Sequence, residues 1–167
     1  MPTAWRICGR RALRRDTALQ RTSMSLRLVL DTNIWLDWLV FDDAGVAPLK
    51  AAVAHGNAEI YINAACEEEL VRVLGYPLRK RVLDDSERAP LIAECRRIAC
   101  TLEPGALKGS SPRPALPVCR DPDDQKFLEL ARDCEAGFLV TKDRELLRLS
   151  RRNPPFRIVT PAQINWS

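Results

Sequence analysis

A chain of 167 residues, 46% hydrophobic and 29% charged, is long enough for one domain with a sizeable core and has the composition of an ordinary globular protein. No apolar run approaches the roughly 18 residues of a membrane span, which excludes a helical membrane protein. The formal net charge of +4 gives no reason to expect nucleic acid, because six arginines against one aspartate fall in residues 1–24 and leave residues 25–167 with a net charge of −1.

The chain divides accordingly. Residues 1–24 form a basic N-terminal extension, Arg-rich and nearly free of acids, which has three readings: a phosphate-binding arm, a transit-like segment, or the product of an early start codon. The last gains weight because Met24-Ser25 directly precedes the first buried run, and otherwise the extension is expected to be disordered. Residues 25–167 make up the domain. Its cysteines have no Cys-x-x-Cys spacing and none lies near the single His55, so zinc-site spacing is absent. Reduced thiols in the cytoplasm are the economical reading.

Leu26–Leu30 is a short apolar run of the kind that forms a buried central strand. Thr32 or Asn33 starts a helix through Val40, and a second helix covers Gly45–His55 with Pro48 in its first turn. Glu59–Ile62 reads as the next strand. A helix then runs to about Leu74, with Cys66, Leu70, Val73 and Leu74 on its buried side. Gly75-Tyr76-Pro77 interrupts it, and Asp84 or Ser86 opens a long amphipathic helix through Thr101. The Pro- and Gly-rich stretch Glu103–Arg120 is a loop, with a short strand expected near Leu116–Cys119. Asp121-Pro122-Asp123-Asp124 opens a helix to about Cys134. Gly137–Thr141 is a strand, Asp143–Leu149 a short helix, and Arg157–Val159 a final strand before a turn at Thr160-Pro161-Ala162. This alternation predicts an α/β fold, a three-layer α/β/α sandwich with a mostly parallel central sheet.

Four acidic residues stand where such a sheet gathers ligands, beyond the carboxyl ends of its strands. Asp31 follows the first strand and Asp143 follows Thr141 at the end of another. Asp124 opens a helix. Glu69, about two turns into the helix after the second strand, is long enough to reach inward. Each has a plainer role on its own: Asp31 and Asp143 as helix caps, Glu69 as one of three surface glutamates, Asp124 in a helix-start cluster. Taken together, converging carboxylates require compensation, and Mg²⁺ or Mn²⁺ suits an all-oxygen set. One or two such ions activate water and stabilise a leaving oxygen in phosphodiester hydrolysis. No histidine lies nearby as a general base.

Leu30-Asp31-Thr32-Asn33, Glu69-Leu70-x-x-Val73-Leu74, Asp121-Pro122-Asp123-Asp124-x-x-Phe127-Leu128 and Leu139-Val140-Thr141-x-Asp143 occur in order, and in this respect the chain resembles the PIN-domain ribonucleases, particularly the bacterial group of toxins from toxin–antitoxin systems. The likeness covers roughly Leu26–Pro161. It implies a Mg²⁺- or Mn²⁺-dependent endoribonuclease with Asp31, Glu69, Asp124 and Asp143 as catalytic and metal-binding residues, Asp121 as an auxiliary carboxylate, and Asn33 and Thr141 orienting ligands or waters. RNA as substrate, a cognate antitoxin and a homodimer are implied by the resemblance alone. One departure stands out: Lys142 lies where the group commonly has a small or polar residue such as Gly.

Lys108, Arg113, Arg120, Lys142, Arg144 and Arg148 are candidates for a basic rim, with Arg120, Lys142 and Arg144 the candidate phosphate-binding residues. Trp35 and Trp38 are expected in core or dimer packing, and with Phe41 they could form part of a dimer surface. A receiver-type phosphoacceptor site fits poorly, since Asp31 stands alone after the first strand and Ile60-Tyr61-Ile62 leads into Asn63. The stronger alternative is a non-catalytic PIN-like domain that binds RNA or protein.

Overall fold

The structure is a computed structural model that describes residues 25–79, 81–105 and 113–166. The expectations for the basic extension (residues 1–24) and for Lys108 lie outside these. The chain builds a five-stranded, wholly parallel sheet of β1 (Leu26–Leu30), β2 (Ala58–Ile62), β3 (Cys100–Thr101), β4 (Phe138–Val140) and β5 (Arg157–Val159), in the order β3-β2-β1-β4-β5. Helices α1 (Thr32–Leu39), α2 (Ala47–Ala54), α3 (Ala64–Leu74), α4 (Asp85–Ile98), α5 (Gln125–Asp133) and α6 (Arg144–Arg148) flank it as the outer layers of the sandwich. Because α1 and α2 carry the chain from β1 to β2 on one side, and the later strands add on the other, the strand order reverses beside β1. Such a reversal opens a crevice at the carboxyl ends of the two strands that meet there. Here they are β1 and β4.

The core follows from side chains on both sheet faces. Leu28, Val29, Leu30, Ile60, Leu139 and Val140 are fully buried, as the continuous apolar runs of parallel strands require. Helix α5 presents Phe127, Leu128, Leu130 and Ala131 to the sheet. Truncating Phe127 to Ala removes a ring that is 1% exposed, and urea unfolding is expected to show a loss of about 3–5 kcal/mol. Trp35 is buried in the core of the single chain, and its ring lies tilted against the half-buried Trp38.

Local signals set most of the boundaries. Asp84 and Glu87 form a reciprocal capping box that starts α4. Gly56 takes φ +74° to release α2 into β2, a conformation that glycine adopts without the steric cost of a Cβ. Among the described residues no helix is long and apolar enough to cross a membrane. None of the five described cysteines is in a disulfide.

Two expectations need correction. Helix α4 stops at Ile98 rather than continuing through Thr101, because Cys100 and Thr101 pair in parallel with Tyr61 and Ile62 at the open edge of β2. Sheet pairing overrides the helical period there. Residues Leu116–Cys119 form no strand. Pro117 has no N–H to give a ladder, and the Gln125 side chain engages its neighbours' backbone, accepting from Cys119 N at 2.8 Å and donating to Pro117 O at 3.3 Å.

Candidate active site

Asp31 leaves the end of β1 and serves as the N-cap of α1, its Oδ1 accepting from Asn33 N at 3.3 Å. Across the β1–β4 seam, the Thr141 hydroxyl donates to Asp31 Oδ2 at 2.6 Å. The same hydroxyl accepts from Asp143 N at 2.9 Å. One fully buried threonine therefore links the two acidic residues that end adjacent strands. Asp143 in turn caps α6, its Oδ1 accepting from Glu145 N at 2.7 Å and Leu146 N at 3.0 Å. The plain capping roles of both aspartates are thus real, and they hold the two carboxylates at the switch point.

Glu69 turns inward from α3. Its Oε1 accepts from the Thr32 hydroxyl, the residue after Asp31, at 2.6 Å. Its Oε2 pairs with the Lys126 ammonium of α5. Asp124 stands at the head of α5, two residues before that lysine, and among the described residues nothing donates to its carboxylate. Burial pushes the Asp124 carboxyl up to about 6, and the charges of Asp31, Asp121, Asp143 and Glu69 add to the rise. Asp31 is raised above the ordinary aspartate range by burial as well, against the Thr141 hydrogen bond that favours its charge, with Asp143 and Glu69 adding repulsion. The four predicted acids therefore share one electrostatic environment.

Asp121 has two parts to play. Its side chain accepts from Asp123 N at 2.9 Å, which shapes the Pro122 turn, and its charge acts on Asp124. Asn33 is exposed at the first turn of α1, with its side-chain amide 3.5 Å from Asp31 Oδ2. Among the rim residues, Arg120 and Arg144 are exposed. Lys142 extends toward α1 and lies 2.6 Å from Asp37 and 3.8 Å from Asp43. Arg113 pairs with Asp133 at 3.2 Å, and Arg148 pairs with Glu145.

The donor chemistry fits a hard divalent cation, being carboxylate oxygen throughout. As arranged, however, no group of three or more His, Cys, Asp or Glu side chains among the described residues is gathered to hold a metal ion. The hydrogen bonds explain much of this: Glu69 is engaged at both oxygens, and Asp143 is turned toward the α6 backbone. Thr32 and Lys126 were absent from the residues that the sequence pointed to. Thr32 reads locally as part of a cap, and no spacing announces that Lys126 meets a glutamate on another helix.

Replacing Thr141 with Val keeps the shape but removes the donor to Asp31 and the acceptor for Asp143 N. A stability loss of about 1–3 kcal/mol is expected for these buried partners, measured by urea unfolding.

A parallel α/β domain with electrostatically coupled acidic residues at its switch point is the class of protein so defined. The chain belongs to the PIN domain family, whose description matches residues 27–145, well over half its length. A comparison with curated proteins gave no match.

Proposed function

We propose that this protein is a divalent-metal-dependent endoribonuclease of the PIN family, the toxin component of a toxin–antitoxin pair. The observation that carries the proposal is the shared environment of Asp31, Glu69, Asp124 and Asp143 at the β1–β4 switch point of a PIN domain. These four would hold Mg²⁺ or Mn²⁺, which when bound supplies positive charge and activates water for attack on a phosphodiester. The chain's own groups then have distinct tasks. Thr141 fixes Asp31 and the Asp143 backbone relative to each other. Asp121 shapes the turn that delivers Asp124, and Asn33 presents an amide at the crevice rim. Arg120 and Arg144 offer exposed guanidinium groups for phosphates. Lys142, engaged with Asp37 and Asp43, would reach a phosphate only by leaving them.

A second reading is favoured by one observation: Lys126 and Thr32 already satisfy Glu69, as they would in a PIN-like domain that binds RNA or protein without cleaving it. The two readings separate in one assay. A nuclease cleaves RNA with Mg²⁺ or Mn²⁺, leaves matched DNA intact, and stops on chelation; a binding domain retains RNA or protein without cleavage. A homodimer and a cognate antitoxin are the partners proposed with the nuclease reading, and light scattering at several concentrations tests the first.

A further inference from the structure

Lys126 has no part in the ligand set proposed above, yet it is inserted into it. It lies in the first turn of α5, two residues beyond Asp124, and reaches across to α3 to pair with Glu69. The lysine side chain is 18% exposed and that of Glu69 13%, so solvent screens the pair far less than it would a surface one. The second oxygen of Glu69 accepts from Thr32 at 2.6 Å, beside Asp31. One carboxylate of the repelling set therefore has a cation and a hydroxyl as partners. Asp124, by contrast, has neither among the described residues, and burial together with the neighbouring carboxylates raises it.

A cation placed among carboxylates has two opposite consequences. It offsets their repulsion when nothing else does, which stabilises the metal-free fold. It also repels an incoming cation and occupies an oxygen that cation needs, which weakens divalent binding. A lysine that only packs or bridges helices would produce the first effect without the second. A lysine that grips the phosphates of bound RNA would produce neither in the absence of RNA.

We infer that Lys126 is an internal counter-ion, holding Glu69 in the metal-free protein and yielding it when a divalent cation enters, so that it sets the cation concentration at which the site fills. This is a positioning role, and it rests on the ligand set of the proposed function.

The test is calorimetric titration of the full chain with Mn²⁺, without RNA, on wild type and Lys126→Met, together with thermal unfolding in chelator and in saturating Mn²⁺. Lys126→Met is expected to bind Mn²⁺ roughly tenfold more tightly, since a nearby unit charge is removed. It is expected to melt lower than wild type in chelator, with the deficit shrinking in Mn²⁺. Unchanged or weaker Mn²⁺ binding by Lys126→Met, with binding by wild type intact, would overturn the counter-ion role and leave the metal site standing. No Mn²⁺ binding by either protein would overturn both. Should Lys126→Met fail to fold in either condition, Glu69→Gln is compared with Glu69→Gln/Lys126→Met, in which no unpaired glutamate remains. Tighter Mn²⁺ binding by the double variant supports the role, and equal or weaker binding refutes it.

Discussion

Asp31→Asn is expected to lower metal-dependent RNA cleavage by well over tenfold, because it removes a ligand charge from the acidic set at the β1–β4 switch point. The fold should survive. Asparagine has nearly the same volume and is as good an N-cap as aspartate, so α1 keeps its start. Thr141 can still donate to the side-chain oxygen at position 31. Burial already disfavours the Asp31 charge, so the neutral replacement carries no desolvation cost of that kind. Initial rates on RNA and thermal unfolding, measured on the same preparation, separate a lost charge from a lost fold. Asp143→Asn should reduce cleavage in the same way.

Asp124→Asn has two effects of opposite sign: cleavage falls, and the metal-free protein becomes more stable. The folded-state carboxyl of Asp124 is pushed up to about 6 from an ordinary value of 3.8. A raised carboxyl contributes stability that is fully present below the unfolded value and is lost as pH rises through the folded one. Metal-free wild type should therefore lose stability between about pH 4 and pH 7. Asp124 is partly exposed, and after allowance for solvent screening its share is about 1–2 kcal/mol. Asp124→Asn should flatten that part of the profile and melt several degrees higher at neutral pH in chelator. Thermal unfolding across pH in chelator, for both proteins, checks the sign. A lower melting temperature for Asp124→Asn at pH 7 would mean that burial and the neighbouring carboxylates do not penalise the Asp124 charge as placed.

Local pattern carried the sequence reading a long way where one strand or helix face decides the outcome. Strands β1 and β4 announce themselves because strands buried on both faces are apolar, as Leu28-Val29-Leu30 and Leu139-Val140 are, while β2 and β5 show shorter buried runs, Ile60-Tyr61-Ile62 and Ile158-Val159, each beside a single charged residue. Asp31 and Asp143 could be recognised as candidates because each follows such a run. Strand β3 could not, since two residues have no period and only the edge of β2 makes them a strand. The order β3-β2-β1-β4-β5 is likewise not written in any one segment, yet it is what places Asp31 beside Thr141. Partnerships between distant elements were the least accessible. Nothing near Lys126 or Thr32 in sequence indicates that both reach Glu69, and the substitution at Lys142 gave no hint that its ammonium would lie against Asp37 of α1.

The most direct measurement is cleavage of an RNA panel and a matched DNA by wild type and Asp31→Asn, side by side, with Mn²⁺ and with chelator. A metal-dependent ribonuclease centred on Asp31 predicts RNA cleavage by wild type in Mn²⁺ alone, little or none by Asp31→Asn, and intact DNA throughout. Equal cleavage by the two proteins, or no cleavage by wild type together with no binding of divalent ions, would contradict it.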